Sequence, residues 1–99
     1  MNIEKKLENG VLTLAVGGRL DTNTSPELEA EMTTEGVSEI VFDFAALEYI
    51  SSAGLRETVA LFRTVTANGG TFAIRRLLPE VADVFTLTGF DKKIDIRAD

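Results

Sequence analysis

The sequence contains no cysteine, no histidine and no tryptophan, and two prolines among 99 residues. Without cysteine there can be no disulfide, no thiolate nucleophile and no sulfur-ligated metal. Without histidine there is no imidazole base, so neither a Ser-His-Asp triad nor a histidine-ligated zinc centre can be built. Long apolar runs are missing too. No stretch approaches the roughly 20 residues that a membrane-spanning helix needs, and residues 1–6 lack the apolar core of a secretory signal. Positive charge is in deficit, with ten Lys and Arg against sixteen Asp and Glu, a formal net charge of −6. Such a surface repels nucleic acid and anionic membrane, which both need a cationic patch. The cations are scattered apart from the pairs Lys5-Lys6, Arg75-Arg76 and Lys92-Lys93, which read as solvated surface. These absences point to a cytoplasmic protein with no nucleic-acid or membrane partner, no metal and no cofactor.

What is present is the pattern of one α/β domain over residues 1–99. Residues 3–7 read as an edge strand and residues 11–16 (VLTLAV) as a buried one. Asn9-Gly10 between them signals a tight hairpin turn. Gly17-Gly18 ends the second strand. Thr24-Ser25-Pro26-Glu27 starts a helix, with Thr24 or Ser25 as cap, proline in the first turn and capping-box spacing from Thr24 to Glu27. Leu28 and Met32 give that helix an inward face, and Gly36 stops it. Residues 39–44 are nearly all apolar, as in a strand covered on both faces.

A second helix spans about residues 53–67. Leu55, Val59, Phe62 and Val65 or Thr66 recur at helical spacing along its sheet-facing side, and Gly69-Gly70 ends it. Residues 71–75 (TFAIR) form the next strand. Leu78-Pro79-Glu80 opens a third helix, with Val81, Phe85 and Thr88 or Gly89 along one side. Residues 93–97 alternate, with Ile94 and Ile96 sharing a face. The order is β-β-α-β-α-β-α-β, which predicts a mixed, mostly parallel sheet with an antiparallel N-terminal hairpin.

One segment stands out chemically. A strand ending near Phe44 is followed by a short loop that delivers Ser51 and Ser52 to a helix N-terminus. The crevice beyond the strand C-termini is where open α/β sheets engage ligands and partners. On spacing alone, either serine serves as a helix cap. Gly54 costs up to about 1 kcal/mol inside a helix, so it signals close backbone packing or a partner's approach. A nucleophile elbow would read G-x-S-x-G, whereas Ile50-Ser51-Ser52-Ala53-Gly54 lacks the first glycine. No G-x-x-x-x-G-K-[ST] phosphate loop occurs. Asp21 and Asp43 are a conceivable carboxylate pair, but loop and strand-end carboxylates are ordinarily just solvated.

The segment from Phe42 to Arg56 resembles the STAS domain of bacterial anti-sigma-factor antagonists. The signature of that family is a hydrophobic strand, an Asp, a short loop, then Asp-Ser-Ser/Thr/Ala-Gly-Leu at a helix start. Gly18-Arg19-Leu20-Asp21, with Thr24 and Pro26-Glu27-Leu28, resembles the family's G-x-[LI]-D-x-x-[TN] stretch. Val84-Phe85-Thr86-Leu87-Thr88-Gly89-Phe90-Asp91 resembles its F-x-x-[ST]-G-hydrophobic segment. The three ordered motifs cover essentially the whole chain.

The resemblance implies a single STAS-like domain that performs no chemistry itself. It implies an anti-sigma-factor antagonist whose partner is an anti-sigma factor with serine kinase activity, with a phosphatase as a further partner. The phosphoacceptor position falls on Ser52, with Ser51 second. Ser51 stands where the family has Asp, and Ala53 is an accepted variant. The implied docking surface comprises Asp21, Thr22, Asn23, Thr24, Tyr49, Ser51, Ser52, Ala53, Gly54, Leu55 and Arg56. Read from the residues alone, Leu55 belongs to the core, Arg56 to the surface, and Asp21 orders its loop. The alternative is a STAS module that is never phosphorylated and serves as a constitutive subunit of a transport or stress-signalling assembly. Ser51 in place of Asp favours it.

Overall fold

The computed structural model describes residues 1–32 and 35–99. Its elements run β1 (Asn2–Glu8), β2 (Val11–Leu20), α1 (Ser25–Ala30), β3 (Glu39–Asp43), β4 (Leu47–Ile50), α2 (Ser52–Ala67), β5 (Thr71–Arg75), α3 (Pro79–Thr88), a 3-10 turn (Phe90–Lys92) and β6 (Asp95–Arg97). The strands form one mixed sheet in the order β1-β2-β3-β5-β6, with β4 attached to β2. Among the described residues only β1 and β2 pair antiparallel. Asn9 and Gly10 close their hairpin with φ of 51° and 81°, the positive values that a two-residue turn requires. The expected mixed, mostly parallel sheet with its N-terminal hairpin is therefore present, with one strand more than the sequence pattern indicated.

That extra strand changes the course of β2. The expectation ended it at residue 16, but it continues through Gly17 and Gly18 to Leu20. Gly18 takes a φ of 91°, and the register shifts between Gly18 and Arg19. Residues Val11 to Ala15 pair with β3, after which Gly18, Arg19 and Leu20 pair with β4. The strand thus forks, and residues 47–50, read from the sequence as loop, fill the second branch. Their burial runs inward at Leu47 and Ile50 and outward at Glu48 and Tyr49, which is no alternation a local pattern could reveal.

From β2 through β3 and β5 to β6 the strand order advances in one direction. Right-handed crossovers therefore place every helix on the same face. Leu28 of α1, Leu55 and Val59 of α2, and Val81 and Phe85 of α3 join Leu12, Leu14, Ile40, Phe42 and Ile74 in one buried cluster. Phe42 stacks on Phe44 at 5.5 Å and meets the edge of Phe72 at 5.0 Å, favourable aromatic geometries. β3 was expected to be covered on both faces. Only Ile40 and Phe42 are buried, while Glu39, Val41 and Asp43 lie half-buried on the helix-free face.

The first helix is shorter than expected. It stops at Ala30, with Glu31 as its C-cap, and Gly36 instead takes a φ of 73° in a turn ahead of β3. Residues 33–34, which the longer helix would have crossed, lie outside the described residues. Glu29 and Glu31 fall at the negative end of the helix dipole and disfavour propagation. Met32 still packs against the core from beyond the helix end. In α2, Leu55, Val59 and Val65 face inward as expected, joined by Thr58 and Leu61. Phe62 is half-buried and Thr66 exposed. Gly89 caps α3 in the left-handed region at φ 81°. β6 begins at Asp95, two residues late, because Lys93 and Ile94 still donate to Phe90 across the 3-10 turn.

Candidate functional site

The fork of β2 brings the two motif regions together. Leu20 ends the strand, and its carbonyl accepts the Ser51 N–H at 2.9 Å. Ser51 is extended (φ −89°, ψ 175°) and caps α2, its Oγ accepting the Gly54 N–H at 3.1 Å. Its carbonyl takes the Leu55 N–H at 2.8 Å. Ser52 is the first helical residue. It is exposed, and its hydroxyl makes no hydrogen bond among the described residues. The capping role left open between the two serines therefore belongs to Ser51, and Ser52 carries a free hydroxyl at the positive end of the helix dipole.

Gly54 explains how close this approach is. A Cβ there would overlap the Leu20 carbonyl oxygen and lie 2.9 Å from Leu20 Cγ and 3.0 Å from Ile50 Cγ1. The glycine lets the first turn of α2 sit directly on the ends of β2 and β4. Close backbone packing, one of the two meanings its presence allowed, is thus accounted for.

Beyond Leu20 the chain enters a loop ordered by Asp21. The Asp21 Oδ1 accepts the N–H groups of Asn23 (3.0 Å) and Thr24 (3.1 Å). Thr24 Oγ1 accepts the Asp21 N–H at 2.9 Å and donates to the Arg19 carbonyl at 2.8 Å. With its hydroxyl so employed, Thr24 makes no side-chain cap, and the expected capping box with Glu27 does not form. The bond from the Thr24 N–H, with lesser help from the Thr24 hydroxyl, the Asn23 N–H and the Arg19 charge, holds the Asp21 carboxyl below the usual aspartate value despite its desolvation. Asp21 is thus an ionised, loop-ordering group. Thr22 and Asn23 are exposed at the tip.

Tyr49 stands 42 % exposed on β4. Its register partner Arg19 lays its guanidinium 4.1 Å from the ring centroid, with Nε 3.9 Å from Asp21 Oδ2. Arg19 lies inside a motif read from the sequence but received no role there. Its stacking depends on β4, the strand the pattern did not disclose. Arg56 is exposed one turn into α2, and Ala53 is half-buried. Two of the eleven residues expected at the docking surface face inward instead. Gly54 is buried, and Leu55 is 8 % exposed within the core cluster, because both sit on the side of α2 that meets the sheet. Leu55 reaches the surface only at the edge of a groove of about 270 Å³ shared with Arg56, Val59, Ala60, Arg63 and Phe90.

The carboxylates weighed as a pair are held in separate networks. Asp43 accepts from Arg76 Nε at 3.1 Å and is closely paired with Arg76 Nη2. That guanidinium first, then the Ala45 N–H, holds the Asp43 carboxyl below the usual range against its desolvation. Among the described residues no cluster of three or more acidic side chains is gathered as metal ligands. A broader concavity of about 470 Å³, lined by Gly17, Gly18, Asp43 and Arg76 among others, lies on the helix-free face and includes neither serine. Among the described residues no helix is long and apolar enough to cross a membrane.

Among the described residues, a layer of three helices on one face of a mixed sheet, with a free hydroxyl at a helix mouth beside an ordered acidic loop, defines a small α/β domain. The chain belongs to the STAS domain family, whose model matches residues 2–99. It is 32% identical over 85 residues to BtrV of Bordetella bronchiseptica, a provisionally named anti-sigma factor antagonist, covering 83% of this chain and 73% of that one. The crystal structure of an anti-sigma factor antagonist from Mycobacterium paratuberculosis superposes with a TM-score of 0.86 at 25% identity, covering 99% of this chain and 86% of the other. The Bacillus cell fate determinant SpoIIAA in its phosphorylated form shares the fold, with a TM-score of 0.77 at 18% identity over 96% of this chain and 90% of that one.

Proposed function

We propose that this protein is an anti-sigma-factor antagonist. It docks on an anti-sigma factor that has serine kinase activity, and phosphorylation of Ser52 switches the docking off. The observation that carries the reading is the division of labour between adjacent serines. Ser51 is occupied as the cap, whereas the Ser52 hydroxyl is exposed and without a partner among the described residues. The names of similar proteins support the antagonist role, and a phosphorylated form of a protein with this fold supports the modification.

In the unmodified chain, Ser52, the loop from Asp21 to Thr24, Tyr49 and Arg56 offer a docking surface that sequesters the anti-sigma factor and frees its sigma factor. The partner's ATP then gives its γ-phosphoryl group to Ser52 Oγ, ADP departs and the hydroxyl proton passes to the kinase. Modification adds about −1.5 to −2 charges. The helix N-terminus accommodates them, with stabilisation of about 0.3–1 kcal/mol, so the fold survives. At the interface the same charge brings repulsion and desolvation, and each 1.4 kcal/mol lost there lowers affinity about tenfold. A phosphatase resets the switch by hydrolysing the ester, and the cytoplasm is where these partners meet.

Incubation with the cognate kinase and ATP, followed by mass spectrometry, should place the phosphate on Ser52. Phosphate found only outside Ser51 and Ser52 would overturn the assignment. Ser52→Asp should abolish docking while the circular dichroism spectrum stays that of the folded protein, and unchanged affinity would count against the switch. Ser51 in place of the family's Asp favours a second reading, a constitutive subunit of a transport or stress-signalling assembly. A pull-down that returns a transporter ATPase and no kinase-fold protein would select it.

A further inference from the structure

Arg56 is the cation nearest to Ser52 along α2, and its surroundings suggest what it is for. Residues three and four positions away on a helix are its side-chain neighbours. For Arg56 these are Ser52, Ala53, Val59 and Ala60, so Ser52 is the single polar one. Arg56 is exposed and makes no ion pair or hydrogen bond among the described residues; Arg63, seven positions further along α2, shares that freedom but lies far from Ser52, whereas Arg19, Arg75, Arg76 and Arg97 are all paired. The direction is favourable as well. Every Cα–Cβ bond in an α-helix tilts toward the N-terminus, so a long side chain at position i+4 leans back over the residue at position i.

We infer that Arg56 is an intramolecular receptor for the phosphate of modified Ser52, its guanidinium closing on the phosphoryl oxygens one helical turn away. This inference rests on the reading that Ser52 is the modified residue. A guanidinium fork matches phosphate oxygens in geometry as well as charge. The other charged groups bordering this end of the molecule do not compete. Arg19 is held by Tyr49 and Asp21, the Asp21 carboxylate is turned onto its own loop, and Glu57 has its Oε1 buried, with no partner among the described residues. Phosphorylation then changes the docking surface twice, adding an anion at position 52 and withdrawing the free guanidinium at position 56. The partner surface that fits the unmodified chain therefore carries a carboxylate opposite Arg56.

The test uses full-length protein with phosphoserine inserted at position 52 during translation, so that it does not depend on any kinase. The phosphate is titrated by phosphorus NMR in the wild-type, Arg56→Gln and Arg56→Lys backgrounds. A nearby cation favours the dianion, so the second ionisation, ordinarily near pH 6, should lie lower in the wild type than in Arg56→Gln by about 0.2–0.4 of a pH unit. Arg56→Lys should restore part of that difference. Equal titration in the wild-type and Arg56→Gln backgrounds would overturn the receptor role. The switch itself is judged separately, by comparing the anti-sigma-factor affinity of the modified and unmodified wild-type chains. Equal affinities there would overturn the docking switch and leave the titration to stand on its own result.

Discussion

Replacing Gly54 with alanine separates two opposite expectations. Helix propensity alone makes Gly→Ala stabilising by up to about 1 kcal/mol. At position 54 the new Cβ overlaps the Leu20 carbonyl oxygen and crowds Leu20 Cγ and Ile50 Cγ1. Neither neighbour can yield cheaply. The Leu20 side chain is fully buried, Ile50 is 5 % exposed, and the same Leu20 carbonyl accepts the Ser51 N–H. A relaxed carbon–oxygen contact needs about 3.3 Å, so the start of α2 must retreat by about 1 Å. Overpacking of this kind costs about 1–3 kcal/mol, and weakening the Ser51–Leu20 bond adds about 0.5–1.5 kcal/mol. Set against the propensity gain, the net loss is about 2 kcal/mol, which lowers the Tm of a domain this size by about 10 °C. Urea denaturation and thermal melts followed by circular dichroism give both numbers. Ala60→Gly, at an exposed position within the same helix, calibrates the propensity contribution by losing about 1 kcal/mol. A Gly54→Ala protein as stable as the wild type, or more so, would refute the close-packing argument and with it the claim that this glycine sets the position of Ser52.

The two serines should differ sharply in stability measurements. Ser51→Ala removes a helix cap and should cost about 1 kcal/mol in urea denaturation, whereas Ser52→Ala should stay within about 0.5 kcal/mol of the wild type. Glu57 has a buried Oε1 without a partner among the described residues, and desolvation, then Glu29, raises its pKa. Its ionised form therefore costs stability at neutral pH. Glu57→Gln should be more stable than the wild type at pH 7, with the gap closing as the pH falls through the raised value toward 4.5. Asp43 has the opposite sign. Its lowered pKa means that pairing with Arg76 stabilises the fold above pH 3.8 and is lost as the pH falls through the folded-state value. Asp43→Asn should thus melt below the wild type at neutral pH and converge with it in strong acid.

The parts of this structure legible in the sequence are those whose cause is local. Asn9-Gly10 announces its hairpin, Gly89 announces the end of α3, and Leu55, Val59 and Val65 mark the inner face of α2 through their spacing alone. Residues 47–50 were opaque because β4 exists through its pairing with the far end of β2, across a register shift at Gly18. The same cause hid the stacking of Arg19 on Tyr49. Gly17-Gly18 was misread for a related reason, since two glycines mark a strand end and a strand bulge equally well. At the site, spacing could not say which serine caps and which is free. That was decided by ψ at Ser51, near 175°, a tertiary consequence of its N–H being tied to Leu20.

That tie also bears on how a switch can operate here. Leu20 belongs at once to β2, to the contact with Gly54 and to the bond that positions Ser51, and its successor Asp21 orders the neighbouring loop through Thr24 and Asn23. Both halves of the proposed docking surface are therefore fastened to one fully buried residue. Moving the start of α2 with its bond to Leu20 intact requires displacing Leu20 from the core, at the several kilocalories that core rearrangements cost. The proposed phosphate, stabilised by less than about 1 kcal/mol at a helix mouth, cannot drive such a movement. In the proposed switch its effect on a partner comes from charge at an unmoved surface, and that is why the fate of the neighbouring cation, Arg56, matters as much as the serine itself.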